Sequence, residues 1–128
     1  MLEYVTEAIV LDKVDLGEQD SRAFLFTKDF GKITAKITSG RKIVSKLAAH
    51  SEPLNYAMVR IVDKNSPQLI DALSSKKIIS GKTAFKTLGL IKEMAPENQP
   101  DNDLWEFLQS MSGKEVEESA FIEVLKFV

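Results

Sequence analysis

The apolar residues change their period near residue 75. Before that point they alternate as strands do; beyond it they recur at helical spacing. Lys32-Ile33-Thr34-Ala35-Lys36-Ile37-Thr38 has period two, which places Ile33, Ala35 and Ile37 toward a core and the Lys and Thr residues toward water. Arg22 to Thr27 precedes it and is rich in strand formers, and Lys28-Asp29-Phe30-Gly31 has the residues of a hairpin turn. Glu7 to Leu11 is a short apolar run suited to a strand buried on both faces. Leu54 to Val62 and Gln68 to Leu73 supply two more strands, separated by the turn formers of residues 63–67. Val44 to Ala49 has the composition of a short helix between the third and fourth strands. Five strands with that helix match the plan of an OB-type barrel. SH3-like barrels also read as five short strands, so the pattern alone leaves both open.

Past Leu73, Ile78, Ala84, Phe85, Leu88 and Ile91 form a helix stripe that ends at Ala95-Pro96. Asp101 or Asn102 can cap a second helix carrying Leu104, Phe107, Leu108 and Met111, which Ser112-Gly113 stops. A third begins near Glu115, with Ala120, Phe121, Val124, Leu125 and Val128 on one side. It finishes on Phe127-Val128 with neither cap nor polar tail, so the reading expects either a longer parent chain or a partner over this face. The expected fold is mainly β with α: a five-stranded barrel over residues 1–75, then a small helical region over residues 76–128.

Composition narrows the function. The chain has no cysteine and one histidine, His50. A disulfide framework, a thiolate zinc site and a cysteine nucleophile are therefore excluded, and the lack of cysteine fits a reducing cytosol. No acid–base or metal constellation can be assembled, so neither catalysis nor a cofactor is expected. No apolar run reaches the roughly 20 residues of a membrane span.

The net charge of −2 conceals an asymmetry. From Arg22 to Lys64 there are nine basic and three acidic residues, a balance of +6; from Glu93 to Glu123 nine acids face only Lys114, a balance of −8. Such a division suits a polyanion-binding part joined to a part with another task, and equally two solvated faces.

Thr6 to Leu11, Leu16-Gly17-Glu18-Gln19-Asp20, Leu25-Phe26-Thr27, Gly31-Lys32-Ile33, Ser39 to Leu47, Asn102 to Leu108 and Phe121 to Phe127 form an ordered set of segments. Taken in that order, they resemble the RecO family of bacterial recombination mediators and DNA repair proteins. The resemblance implies an N-terminal OB fold followed by helices, binding of single- and double-stranded DNA, strand annealing, and loading of RecA with RecR onto strands coated by single-stranded DNA-binding protein. The chain departs from the family in stopping short of its further helices and in lacking the cysteines of its zinc segment. Thr38 and Ile43 also stand where more basic or small residues are common.

The expected DNA-binding residues are Arg22, Lys32, Lys36, Arg41, Lys42 and Lys46. Phe30 and Tyr56 are candidates for base stacking, whereas Phe24 and Phe26 read as core. Trp105, on the acidic helix, is expected to pack against another helix or a protein partner. The competing expectation is a protein-interaction scaffold of the same fold with little DNA affinity, motivated by the acidic helices.

Overall fold

The computed structural model describes residues 2–17, 20–38, 55–77, 82–110 and 118–126. Five strands, β1 (Leu2–Leu16), β2 (Asp20–Thr27), β3 (Gly31–Ile37), β4 (Asn55–Asp63) and β5 (Pro67–Lys77), close into a barrel in the order β1-β2-β3-β5-β4. All neighbours are antiparallel except β3 and β5, which meet in parallel at Lys36 and Gln68 and complete the closure. This is the OB-type arrangement, and the chain is mainly β with short helices. The helix expected at Val44 to Ala49 lies outside the described residues.

Alternation fills the barrel. Ala8, Val10, Ala23, Leu25, Ile33, Ala35, Ile37, Ala57, Val59, Ile61, Leu69 and Ala72 point inward and form one cluster. Their neighbours on β1 and β2 point outward, yet several are apolar too. Ile9, Leu11, Phe26 and Tyr56 join a second cluster with Leu88, Ile91, Leu104, Trp105, Leu108 and Val124 of the helices. That two-sided demand is why Ala8 to Leu11 is an unbroken apolar run: even-numbered residues there serve the interior, odd-numbered ones the helices. A bulge between Val10 and Asp12 keeps Leu11 under the helices and turns Asp12 toward them as well.

Among the described residues three helices follow: α1 (Lys82–Met94), α2 (Asn102–Ser110) and α3 (Glu118–Val124). Asp101 caps α2, its Oδ1 accepting from the Leu104 amide at 3.0 Å, as the acidic start of that segment suggests. Leu104 and Leu108 of the expected stripe are buried, with Trp105 beside them. In α3, Val124 is buried, but Leu125, expected on the same side, is 49% exposed, because the helix ends at Val124 and Leu125 lies in the turn after it. No described helix is long and apolar enough to cross a membrane.

The turn between β2 and β3 is a three-residue loop closed by Thr27 opposite Gly31. The Thr27 hydroxyl donates to the Gly31 carbonyl at 2.7 Å and accepts from the Phe30 amide at 3.1 Å. Gly31, which closes the loop, has φ +73°, a left-handed conformation that glycine adopts without the steric cost of a side chain.

Candidate nucleic-acid interface

The outer surface of β1, β2 and β3 divides into two zones, one covered by the helical layer and one left open. In the covered zone, Phe24 of β2 lies beneath the Lys92 ammonium, 4.4 Å from the ring centroid, and that ammonium also pairs with Asp12 of β1 at 2.8 Å. After α1 the chain runs beside β3. The Asn98 amide donates to the Lys32 carbonyl at 2.9 Å, and the Thr34 hydroxyl donates to Glu97 at 2.7 Å. The first residues of β3 pair with β2 on one side only, so this segment satisfies backbone groups that would otherwise form an open edge.

Lys32 is the first correction to the sequence reading. It was expected to face water and instead is 9% exposed. Its position on the outer face of β3 is as the alternation indicates, but α1 ends over it. The ammonium donates to the Lys92 carbonyl at 2.7 Å, one of the last-turn carbonyls that a helix leaves without an internal partner. A cation there also complements the helix dipole. Lys32→Met would keep the aliphatic stem and leave that carbonyl without its donor. We expect a loss of about 1–2 kcal/mol in urea unfolding.

Tyr56 is the second correction. It is 5% exposed, its ring lies 5.7 Å from that of Trp105, and its hydroxyl accepts from the Gln109 amide nitrogen at 3.1 Å. Burial, followed by the hydrogen bond it donates to Glu7 and the charge of that carboxylate, pushes the Tyr56 hydroxyl well above the usual phenol range; the Gln109 contact acts the other way. A base cannot stack on it. Phe30 is also occupied. It is half-buried, and its ring packs 4.3 Å from Tyr4, whose own hydroxyl is pushed up by burial and then by Asp63. Phe26 is core, as expected, and Phe24 is packed against the same cluster.

The open zone begins two residues farther along β2 and β3, at the next outward-facing pair. Arg22 on β2 stands directly opposite Lys36 on β3. The row continues to Val14 of β1 on one side and to Gln68 of β5 on the other. At ordinary strand spacing this row spans about 14 Å. Arg22, Lys36 and Val14 are exposed, and Gln68 is half-exposed. Lys36 lies 3.6 Å from Asp20, a solvent-screened pair that contributes little. Arg22 has no ion-pair partner among the described residues. Two like charges directly opposite on a sheet repel, and an anion between them removes the repulsion.

Arg41, Lys42 and Lys46 lie outside the described residues. Of the other cations between Arg22 and Lys64, Arg60 of β4 is held by Glu3 of β1 at 2.6 Å, and Lys28, in the β2–β3 turn, lies 3.7 Å from Glu7. Of the residues the sequence reading names, Arg22 and Lys36 stand together in this row and Lys32 is buried under the end of α1; Val14 and Gln68 are in the row without having been named. Those two carry no chemical signal of their own; only the register puts them in the row.

Comparison with known proteins agrees with this architecture. The model of the family described as recombination protein O, N-terminal, matches residues 1–81. A "DNA repair protein RecO" from Myxococcus xanthus is 28% identical over 121 residues, covering 86% of this chain and 49% of the relative. One of the same name from Thermodesulfovibrio yellowstonii is 28% identical over 117 residues, covering 84% and 46%, and one from Alkaliphilus metalliredigens is 29% identical over 111 residues, covering 80% and 45%. The chain thus spans about half the length of these curated relatives. With its family match over the whole barrel and relatives named for DNA repair, the chain belongs to the RecO family, whose role is in DNA repair and recombination.

Proposed function

We propose that this chain binds the phosphate backbone of single- and double-stranded DNA on the open barrel face. The observation that carries the proposal is the exposed Arg22–Lys36 pair, in register on neighbouring strands and clear of the helical layer. The phosphates of two strands repel one another, so bringing complementary strands together requires their neutralisation. Each Lys or Arg contact supplies it and releases condensed counterions. Arg41, Lys42 and Lys46, which follow β3 in the sequence, extend the contact in this reading. The activity is non-enzymatic: the chain anneals strands in the cytoplasm and, with RecR, assists RecA loading onto strands coated by single-stranded DNA-binding protein. The names of the relatives support the repair role.

The double variant Arg22→Glu/Lys36→Glu tests the site. It should weaken oligonucleotide binding by roughly 50-fold at about 50 mM salt, the counterion contribution of two lost contacts. Both residues are exposed, so its unfolding midpoint should barely move. Unchanged affinity in a folded variant would remove this face from the interface.

A second reading, a protein-interaction scaffold, is favoured by one observation on the opposite side of the barrel. Val5, Met58 and Leu73 are 56%, 43% and 68% exposed and neighbour one another on β1, β4 and β5, with Met58 directly opposite Leu73. Tight binding to RecR with no DNA affinity at low salt would favour that reading.

A further inference from the structure

We infer that the barrel holds a DNA strand by its phosphates alone and leaves the bases turned outward, unstacked by protein and free to pair. The inference rests on the DNA-binding reading above and specifies what the same face recognises. OB barrels that grip single strands ordinarily stack successive bases on exposed aromatic rings, each worth roughly a five- to hundredfold gain in affinity. The barrel half of this chain, residues 1–77, contains five aromatic residues: Tyr4, Phe24, Phe26, Phe30 and Tyr56. All five are described, and none is exposed.

Each ring already has an occupant. Tyr4 and Phe30 pack on each other, Phe24 lies under Lys92, and Phe26 and Tyr56 lie against Trp105 of α2. Packing against the helices takes up Phe24, Phe26 and Tyr56, and Tyr4 and Phe30 take up each other, so the row left open offers a guanidinium, an ammonium, an amide and a valine. The segments of this half outside the described residues contain no Phe, Tyr or Trp, and their one ring is the smaller imidazole of His50. Phosphates are the one feature common to every nucleotide that such a row can bind strongly. A strand held in this way presents its Watson–Crick edges to a complementary strand without first being released, which is what annealing requires.

The test compares two probes of equal length with the full chain at low salt: oligothymidine, and a strand in which abasic tetrahydrofuran sites replace the nucleosides. We expect their affinities to agree within about threefold, because the phosphate contacts are the same in both. We also expect bound thymines to be as reactive to permanganate as free ones. Weakening of more than tenfold for the abasic strand, or protection of the bound thymines, overturns the inference while leaving DNA binding intact. Failure of both probes to bind overturns the DNA-binding reading, and the inference with it.

Discussion

Trp105→Ala should destabilise the protein by about 3–5 kcal/mol, the range expected when a fully buried large aromatic is removed and its site cannot collapse. Trp105 is 2% exposed and is the largest fully buried side chain. It projects from α2 onto the outer face of the barrel, with ring centroids 6.3 Å from Phe26 and 5.7 Å from Tyr56. Removing it opens a void where barrel and helices share a core, so both parts lose packing together. A domain of this size has only about 5–15 kcal/mol to lose, so the variant should melt far below the wild type. Trp105→Phe supplies the contrast. The indole Nε1–H has no hydrogen-bond partner among the described residues, so phenylalanine gives up ring area but no hydrogen bond, and the loss should stay near about 1–2 kcal/mol. Urea unfolding of both variants checks the pair. Equal losses would show that the ring does not join the two layers.

Gly31→Ala is expected to lose about 3 kcal/mol, through two separate effects. At φ +73° any side chain carries the left-handed penalty of about 1–2 kcal/mol. The added methyl group would also run into the Gln99 backbone, which packs directly on this glycine. Backbone cannot swing aside as a flexible side chain can. The segment after α1 must therefore move off β3, which gives up the Asn98–Lys32 hydrogen bond, worth about 1 kcal/mol. Gly17, also at positive φ but with open space around it, should lose only the conformational part when changed to alanine. Chemical denaturation of the two variants separates collision from conformation. Similar values would mean that the loop beside β3 gives way freely.

These two sites show which parts of the molecule its sequence discloses. Alternation in β3 and the double-sided run of β1 follow from local periodicity, so strand positions and the barrel interior are readable. The same holds for the β2–β3 turn, where Asp29 and Gly31 supply the required chemistry, and for Asp101 at the start of α2. Strand lengths are less readable. β1 runs from Leu2 to Leu16, well beyond the apolar Glu7 to Leu11, because β2 and β4 pair along its two edges whatever its side chains.

What the sequence hides is the outer surface. Alternation says that Lys32 and Lys36 lie on one face of β3, and they do. It cannot say that a helix some 50 residues later will end over the first and stop short of the second. The same later packing consumes Tyr56, while Phe30 is lost to Tyr4 at the far end of β1. Long-range contacts decide which cations and rings remain available, and those contacts leave no mark in the spacing of nearby residues.

Affinity for single-stranded oligonucleotide, measured across a salt series, tests the central claim most directly. Five backbone contacts, from Arg22, Lys36, Arg41, Lys42 and Lys46, predict that log affinity falls with log salt at a slope of about −3.5. Reversing Arg22 and Lys36 should make that slope shallower by about 1.4. A wild-type slope weaker than about −1, or one that the double variant leaves unchanged, would contradict a phosphate-binding face on the open side of this barrel.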